Sequence, residues 1–184
     1  SSDLAFIKSF RGSDPNAAVF WLARMLEGGE DIKFIARRLV ILSAEDIGLA
    51  NPNALLLANT CFDAIHKIGM PEARIILSEC AVYLATSPKS NSAYMAIDEA
   101  LAKVRETGNL PVPLHLRNAP TKLMKQLGYG NEYKYSHSYE GHFAEQDFLP
   151  KKIRTQKFYE PQANQQEEAI RTRLKNWWKK KYGY

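Results

Sequence analysis

The chain has 184 residues, 45% of them hydrophobic and 24% charged, with a formal net charge of +5. That is room for one ordinary domain or two small ones, with a core able to bury roughly 70% of the unfolded surface, and the globular composition excludes global disorder. No apolar run approaches the ~20 residues of a membrane span, and no charged-then-apolar leader precedes a small-residue cleavage site.

The first residues, Ser1-Ser2-Asp3-Leu4, carry no initiator Met and enter a helical pattern at once, so a fragment of a longer chain is expected. Residues 3–10 read as a helix that ends near Gly12. Asp14-Pro15 then predicts a helix start: the Asp carboxylate can accept first-turn amides, and proline at the first helical position loses no hydrogen bond. That helix, to about residue 27, is apolar nearly all round through Ala17, Val19, Phe20, Trp21 and Leu22, which predicts a central position. Gly28-Gly29 closes it. Asp31 opens a third helix with a stripe at Ile32, Ile35, Ala36, Leu39 and Leu42, leaving Arg37 and Arg38 off it, and reaching about Gly48. Further helices are predicted over 53–67, from Pro71-Glu72 to about 86, and from 91 or 92 to 107. The last carries Ala93, Ile97, Ala100, Leu101 and Val104 on one face, and Gly108 ends it. Short connections between such helices favour antiparallel neighbours in a bundle.

Past Gly108 the texture changes. Residues 110–116 alternate, but Pro111 and Pro113 restrict them to an extended or edge segment. A short helix is expected over 120–127, and an irregular stretch rich in Tyr, Gly and His over 129–150. A final helix over about 164–181 places Ile170, Leu174, Trp177 and Trp178 on a stripe. The expected organisation is a helical block over 1–108 and a basic, aromatic-rich extension over 109–184. The charge divides similarly. Residues 1–110 hold 11 Lys+Arg against 13 Asp+Glu, a net of −2, and residues 111–184 hold 14 against 7, a net of +7. An anionic partner is therefore expected at the second part.

Cys61 and Cys80 fall inside apolar helical stretches. A disulfide framework needs more cysteines in a shorter chain, and zinc needs ligands at short spacing, so both are expected as reduced core residues of a cytoplasmic protein. Signatures of catalysis are missing: no GxxxxGK[ST] or GxGxxG phosphate loop, no GxSxG elbow, no HExxH. Glu45-Asp46 point about 100° apart on a helix, poor geometry for a general acid/base pair, and fit either helix-end charges or a contact to a neighbouring Arg. His137 and His142, with Glu140, Glu145 and Asp147 nearby, match no recognised ligand spacing, so loop histidines bonded to backbone are expected rather than a metal site. Tyr133, Tyr135, His137 and Tyr139 alternate with Lys134, Ser136 and Ser138. Such rings either clamp the loop onto the helical body or, with Lys134, stack bases and neutralise phosphates. In the tail, Arg171, Arg173, Lys175, Lys179, Lys180 and Lys181 surround the Trp177-Trp178 stripe, which fits docking, a subunit interface or base stacking. Candidate nucleic-acid or interface contacts are Lys134, Tyr135, Arg171, Lys175, Trp177, Trp178, Lys179, Lys180 and Lys181.

Six blocks resemble one family. They are Arg11-Gly12-Ser13-Asp14-Pro15, Trp21-Leu22-Ala23-Arg24-Met25-Leu26, Phe34-Ile35-Ala36-Arg37-Arg38-Leu39, Ser43-Ala44-Glu45-Asp46-Ile47-Gly48, Tyr83-Leu84-Ala85-Thr86-Ser87-Pro88-Lys89-Ser90-Asn91 and Tyr133-Lys134-Tyr135. The family is replication-associated recombination protein A (maintenance of genome stability protein A), with a eukaryotic relative in the Werner-helicase-interacting protein. The likeness runs from about Leu4 to the final helix. It implies an all-α region resembling the clamp-loader collar, C-terminal to a AAA+ ATPase module that carries the ATP- and Mg-binding residues. It also implies a homotetramer, a DNA-dependent ATPase activity of the whole protein at stalled forks, and contact with single-stranded-DNA-binding protein. No catalytic, cofactor or metal residue can be carried onto this chain. One departure is Gly141-His142, where the family pattern has paired glycines. The resulting expectation is a non-catalytic oligomerisation scaffold for AAA+ motors, against the alternative of an autonomous single-strand or partner-binding module using the aromatic loop and basic tail.

Overall fold

In the computed structural model, which describes residues 1–184, the chain is all-α: eight α-helices, short 3-10 turns and irregular connections, with no strand. It forms two compact units, one of Ser1–Ile97 with Tyr159–Glu168, the other of Asp98–Phe158 with Ala169–Tyr184.

Local signals set most of the helix boundaries. Helix α1 spans Ser2–Arg11, and α2 spans Pro15–Glu27, opened by the Asp14 carboxylate accepting from the Ala17 amide at 2.9 Å with proline in the first turn. Asp31 caps α3, Ile32–Leu42, through the Lys33 amide at 3.0 Å. Helices α4, Asn53–Ile68, and α5, Ala73–Thr86, follow. Helix α6 spans Ser92–Thr107, α7 spans Lys122–Gln126 behind a Thr121 cap, and α8 spans Gln165–Trp178. The last ends at Trp178, short of the expected 181, because Lys179 takes a left-handed conformation at φ 50°. Residues 110–116 form no sheet edge; Leu114–Leu116 is a 3-10 turn.

The centre of the first unit is α5, not α2 as the composition of α2 suggested. Ala73, Leu77, Cys80, Ala81, Leu84 and Ala85 are all fully buried, and α5 packs against α1, α2, α3 and α4. Its small Ala and Cys side chains let several neighbours approach at once, which bulky residues would prevent. Helix α2 buries only the stripe Ala18, Leu22 and Met25, and Phe20 is 59% exposed. Phe6, Phe10, Ile35, Leu39, Ile47 and Ile65 complete the core. Each large apolar side chain buried there contributes about 1.5–3 kcal/mol. The apolar face read on α6 is largely uncovered: Ala93, Ile97, Leu101 and Val104 are exposed, and only Ala100 is half-buried.

Candidate functional site

In the first unit, polar groups converge where α3 loses its α-helical register. After Leu42 the backbone widens into a π-helical turn, Ser43–Ile47, then tightens into a 3-10 turn, Gly48–Ala50. The wider turn changes the angle between successive side chains. Glu45 and Asp46 consequently both reach Arg11: Nη2 lies 3.2 Å from Glu45 Oε1, and Nε lies 3.0 Å from Asp46 Oδ1. Of the two readings of this acidic pair, contact to a neighbouring Arg is the one found. With the Arg11 side chain 48% exposed, the pairing is worth at most about 1 kcal/mol, so it positions the turn more than it stabilises it.

The turn in turn holds the segment after α5. The Ser90 amide donates to the Asp46 carbonyl at 2.8 Å. Gly48 adopts φ 49°, and a Cβ there would stand 3.2 Å from the Ser90 carbonyl, so glycine serves both the conformation and the close approach. Lys89 turns back to donate to the carbonyls of Leu84 at 3.2 Å, Ala85 at 3.0 Å and Ser87 at 2.5 Å, completing the C-terminus of α5. Burial pushes the Lys89 amine below its ordinary pKa, against the opposing pull of the Asp46 charge.

Beside it lies Glu167, a fully buried carboxylate in the first turn of α8. Oε2 accepts from the Ser90 hydroxyl at 2.7 Å, the Asn164 amide at 2.6 Å and the Gln162 backbone at 3.3 Å. Oε1 accepts from the Ser92 hydroxyl and from the Tyr159 hydroxyl at 3.1 Å. Burial works to raise its pKa, but the Ser92, Ser90, Asn164 and Tyr159 donors together outweigh it and hold the carboxyl below its ordinary value. Hydroxyls and amides, not a cation, keep this charge inside the protein. In the α4–α5 core, Cys61 and Cys80 are buried and free. The neighbouring Cys61 thiol, followed by burial, raises the Cys80 thiol pKa.

In the second unit the tail aromatics form one cluster. The Phe143 ring stacks on Trp177 at 6.0 Å and meets Trp178 edge-on at 5.1 Å, and Trp178 also meets Phe148 at 6.3 Å and Tyr182 at 5.3 Å. Lys181 lies 4.8 Å over the Trp178 ring and 2.7 Å from Asp147 Oδ1, its side chain only 9% exposed. This hydrogen bond holds the Asp147 carboxyl below its ordinary pKa. Of the nine residues picked from sequence, Trp178 and Lys181 are thus joined to one another and packed. Trp177 is partly exposed in the same cluster, and Lys175, Lys179 and Lys180 are exposed. Arg171 is half-buried on α8. Lys134 donates to the Glu145 carbonyl at 3.1 Å, and Gln146 bonds the Lys134 backbone on both sides, at 3.2 and 2.7 Å. Tyr135 stands exposed, its ring 5.3 Å from that of His137. His137 and His142 face each other with Nδ1 atoms 3.2 Å apart, and no third His, Cys, Asp or Glu joins them in metal-holding geometry. Gly141 and His142 are both left-handed, at φ 65° and 56°, a conformation that glycine adopts freely and histidine rarely.

A family model described as the MgsA AAA+ ATPase C terminal matches residues 12–178. The chain belongs to that family. Among curated relatives, replication-associated recombination protein A of Bacillus subtilis is 45% identical over 168 residues, 91% of this chain and 40% of that protein. Its namesake in Coxiella burnetii is 45% identical over 158 residues, 85% of this chain and 36% of the relative. The ATPase WRNIP1 of Dictyostelium discoideum is 45% identical over 157 residues, 85% of this chain and 18% of its own length. The chain therefore spans less than half the length of these relatives, and the resemblance read from the six sequence blocks holds. No helix is long and apolar enough to cross a membrane. In this MgsA C-terminal fold, sequence reasoning missed Glu167 and the seat of Lys89. The Asn164…Glu167 spacing of a helix N-terminus was the only local trace of the first.

Proposed function

We propose that this MgsA C-terminal region is the assembly scaffold of a AAA+ ATPase acting in DNA replication, recombination and repair. Its closed core beside unpartnered apolar surface carries the reading. In the first unit, α2 and α5 border an open groove of about 620 Å³ whose apolar lining is Val19, Leu22, Ala23, Leu26, Met70 and Ile75, with Glu27, Arg74, Ser78 and Glu79 as its polar residues. Met70 is 50% and Ile75 58% exposed, and Val82, seven residues along the same face of α5, is exposed too. Apolar surface of this kind, left uncovered beside a complete core, characterises subunit contacts. A second copy of the chain covers it in this reading, with the homotetramer as the closed assembly. ATP and Mg belong to the upstream module, whose neighbouring copies the scaffold brings to high effective concentration on DNA, with single-stranded-DNA-binding protein as a further partner. Light scattering across a concentration series tests it. Assemblies of two or more chains are expected, reduced to monomer by Ile75→Asp; a wild-type monomer at high micromolar concentration overturns it.

A further inference from the structure

The second unit contains a cavity that the assembly reading does not use. It measures about 480 Å³, inside the ~300–1,000 Å³ range of small-ligand sites, and its lining includes His115, Arg117, Asn118, Gly130, Tyr133 and Phe148. Its walls are fixed by short contacts. The Gly130 amide donates to the Leu114 carbonyl at 2.8 Å, and a Cβ on Gly130, at φ 75°, would stand 3.2 Å from the Arg117 carbonyl. His115 Nε2 lies 2.6 Å from the Asp147 carbonyl, which anchors the segment carrying Phe148. Arg117 Nε donates to the Val112 carbonyl at 2.8 Å, and its guanidinium lies 4.9 Å over the Tyr129 ring.

Once these bonds are made, the remaining groups have a recognisable chemistry. Asn118 is exposed, and its amide makes no hydrogen bond within the protein. The terminal N–H groups of Arg117 remain as planar donors. Tyr133 and Phe148 are 48% and 44% exposed and both line the cavity, so two accessible aromatic rings border it. We propose that this cavity is a nucleobase site for single-stranded nucleic acid: Tyr133 and Phe148 present stacking faces, and Asn118 and Arg117 meet the polar edge of one base. An amide matches a base edge because it offers donor and acceptor side by side, and stacking accepts any base. The net charge of +7 over residues 111–184 supplies the phosphate attraction that an isolated aromatic pocket lacks. A hydrophobic peptide is the poorer fit, since it leaves the Asn118 amide and the Arg117 donors unpaired.

This site is independent of assembly, because a monomer contains all of it. The test is fluorescence anisotropy of the whole chain with labelled 12-nucleotide oligo-dT and oligo-U at low salt, joined to ultraviolet cross-linking and peptide mapping. Binding of either strand is expected, weakened at least about fivefold by Tyr133→Ala and by Asn118→Ala and retained by Tyr133→Phe. Cross-links are expected at Tyr133 or Phe148. Melting curves of the two exposed-site variants establish that they fold. The cross-link on the unaltered chain decides the matter if either variant does not. Absence of binding, binding indifferent to both alanine variants, or cross-links confined to other segments overturns the site. Displacement of the strand by an apolar peptide with no Tyr133 dependence does the same.

Discussion

Glu167 concentrates more hydrogen bonds on one side chain than any other residue in the first unit. Its carboxylate is fully buried, and its donors come from Ser90 and Ser92 on one stretch of chain and from Tyr159, Gln162 and Asn164 on another. Glu167→Ala removes every acceptor at once and strands those donors, so the expected loss is about 3 kcal/mol, read as a shift of the urea midpoint. Glu167→Gln keeps the shape and one acceptor oxygen and loses less. The pH dependence follows from the direction of the pKa. Because the folded value lies below the ordinary 4.5, the carboxylate contributes stability above about pH 4.5 and loses it as the pH falls through the folded value. Melting temperatures between pH 3 and 7 should therefore drop steeply on the acid side, and the drop should flatten in Glu167→Gln. An identical acid limb in that variant would assign the loss to other carboxylates.

At the scale of elements, α5 and α2 make opposite predictions although both are rich in apolar residues. Leu84 is fully buried on α5 where several helices meet, so Leu84→Ala opens a cavity that rigid neighbours cannot fill and costs about 3 kcal/mol. Phe20, on the exposed side of α2, changes monomer stability by about 0.5 kcal/mol or less when made Ala. Equal losses for the two in denaturant titrations would restore α2 to the centre. The caps and breakers were legible in sequence because each acts within a few residues: Asp14 and Pro15 on the first turn of α2, Asp31 on α3, Gly28 at the end of α2. What was not legible depends on distant partners. Periodicity shows that a helix has an apolar face, not whether another helix covers it, and the exposure of Ile97, Leu101 and Val104 had to come from the structure. The π-turn that aims Glu45 and Asp46 at Arg11 leaves no pattern of its own. Ser90 and Glu167 stand 77 residues apart, so no local rule joins them. The same limit hid the cavity at Asn118, because the sequence drew attention to the lysines around the aromatic loop and not to an amide without a partner.

Across the whole molecule, the apolar surface and the basic charge imply opposite responses to salt. Residues 1–110 carry a net −2 and residues 111–184 a net +7, while the candidate self-contact on the first unit is lined by Leu22, Leu26, Met70 and Ile75 beside the charged Glu27, Arg74 and Glu79. Burial of the apolar side chains is insensitive to ionic screening and is strengthened by salts excluded from protein surfaces. Neutralising about three phosphates of a single strand gives an affinity that falls roughly as the second power of salt concentration, tens of times between about 50 and 300 mM. Self-association measured by light scattering should therefore persist or rise over that range while oligonucleotide affinity collapses. An assembly that dissociates as salt rises would point to attraction between the acidic part of one copy and the basic part of the next. That arrangement would also occupy the cations that a nucleic-acid strand needs, so assembly and strand binding would then compete, and the groove on α2 and α5 would lose its assigned occupant.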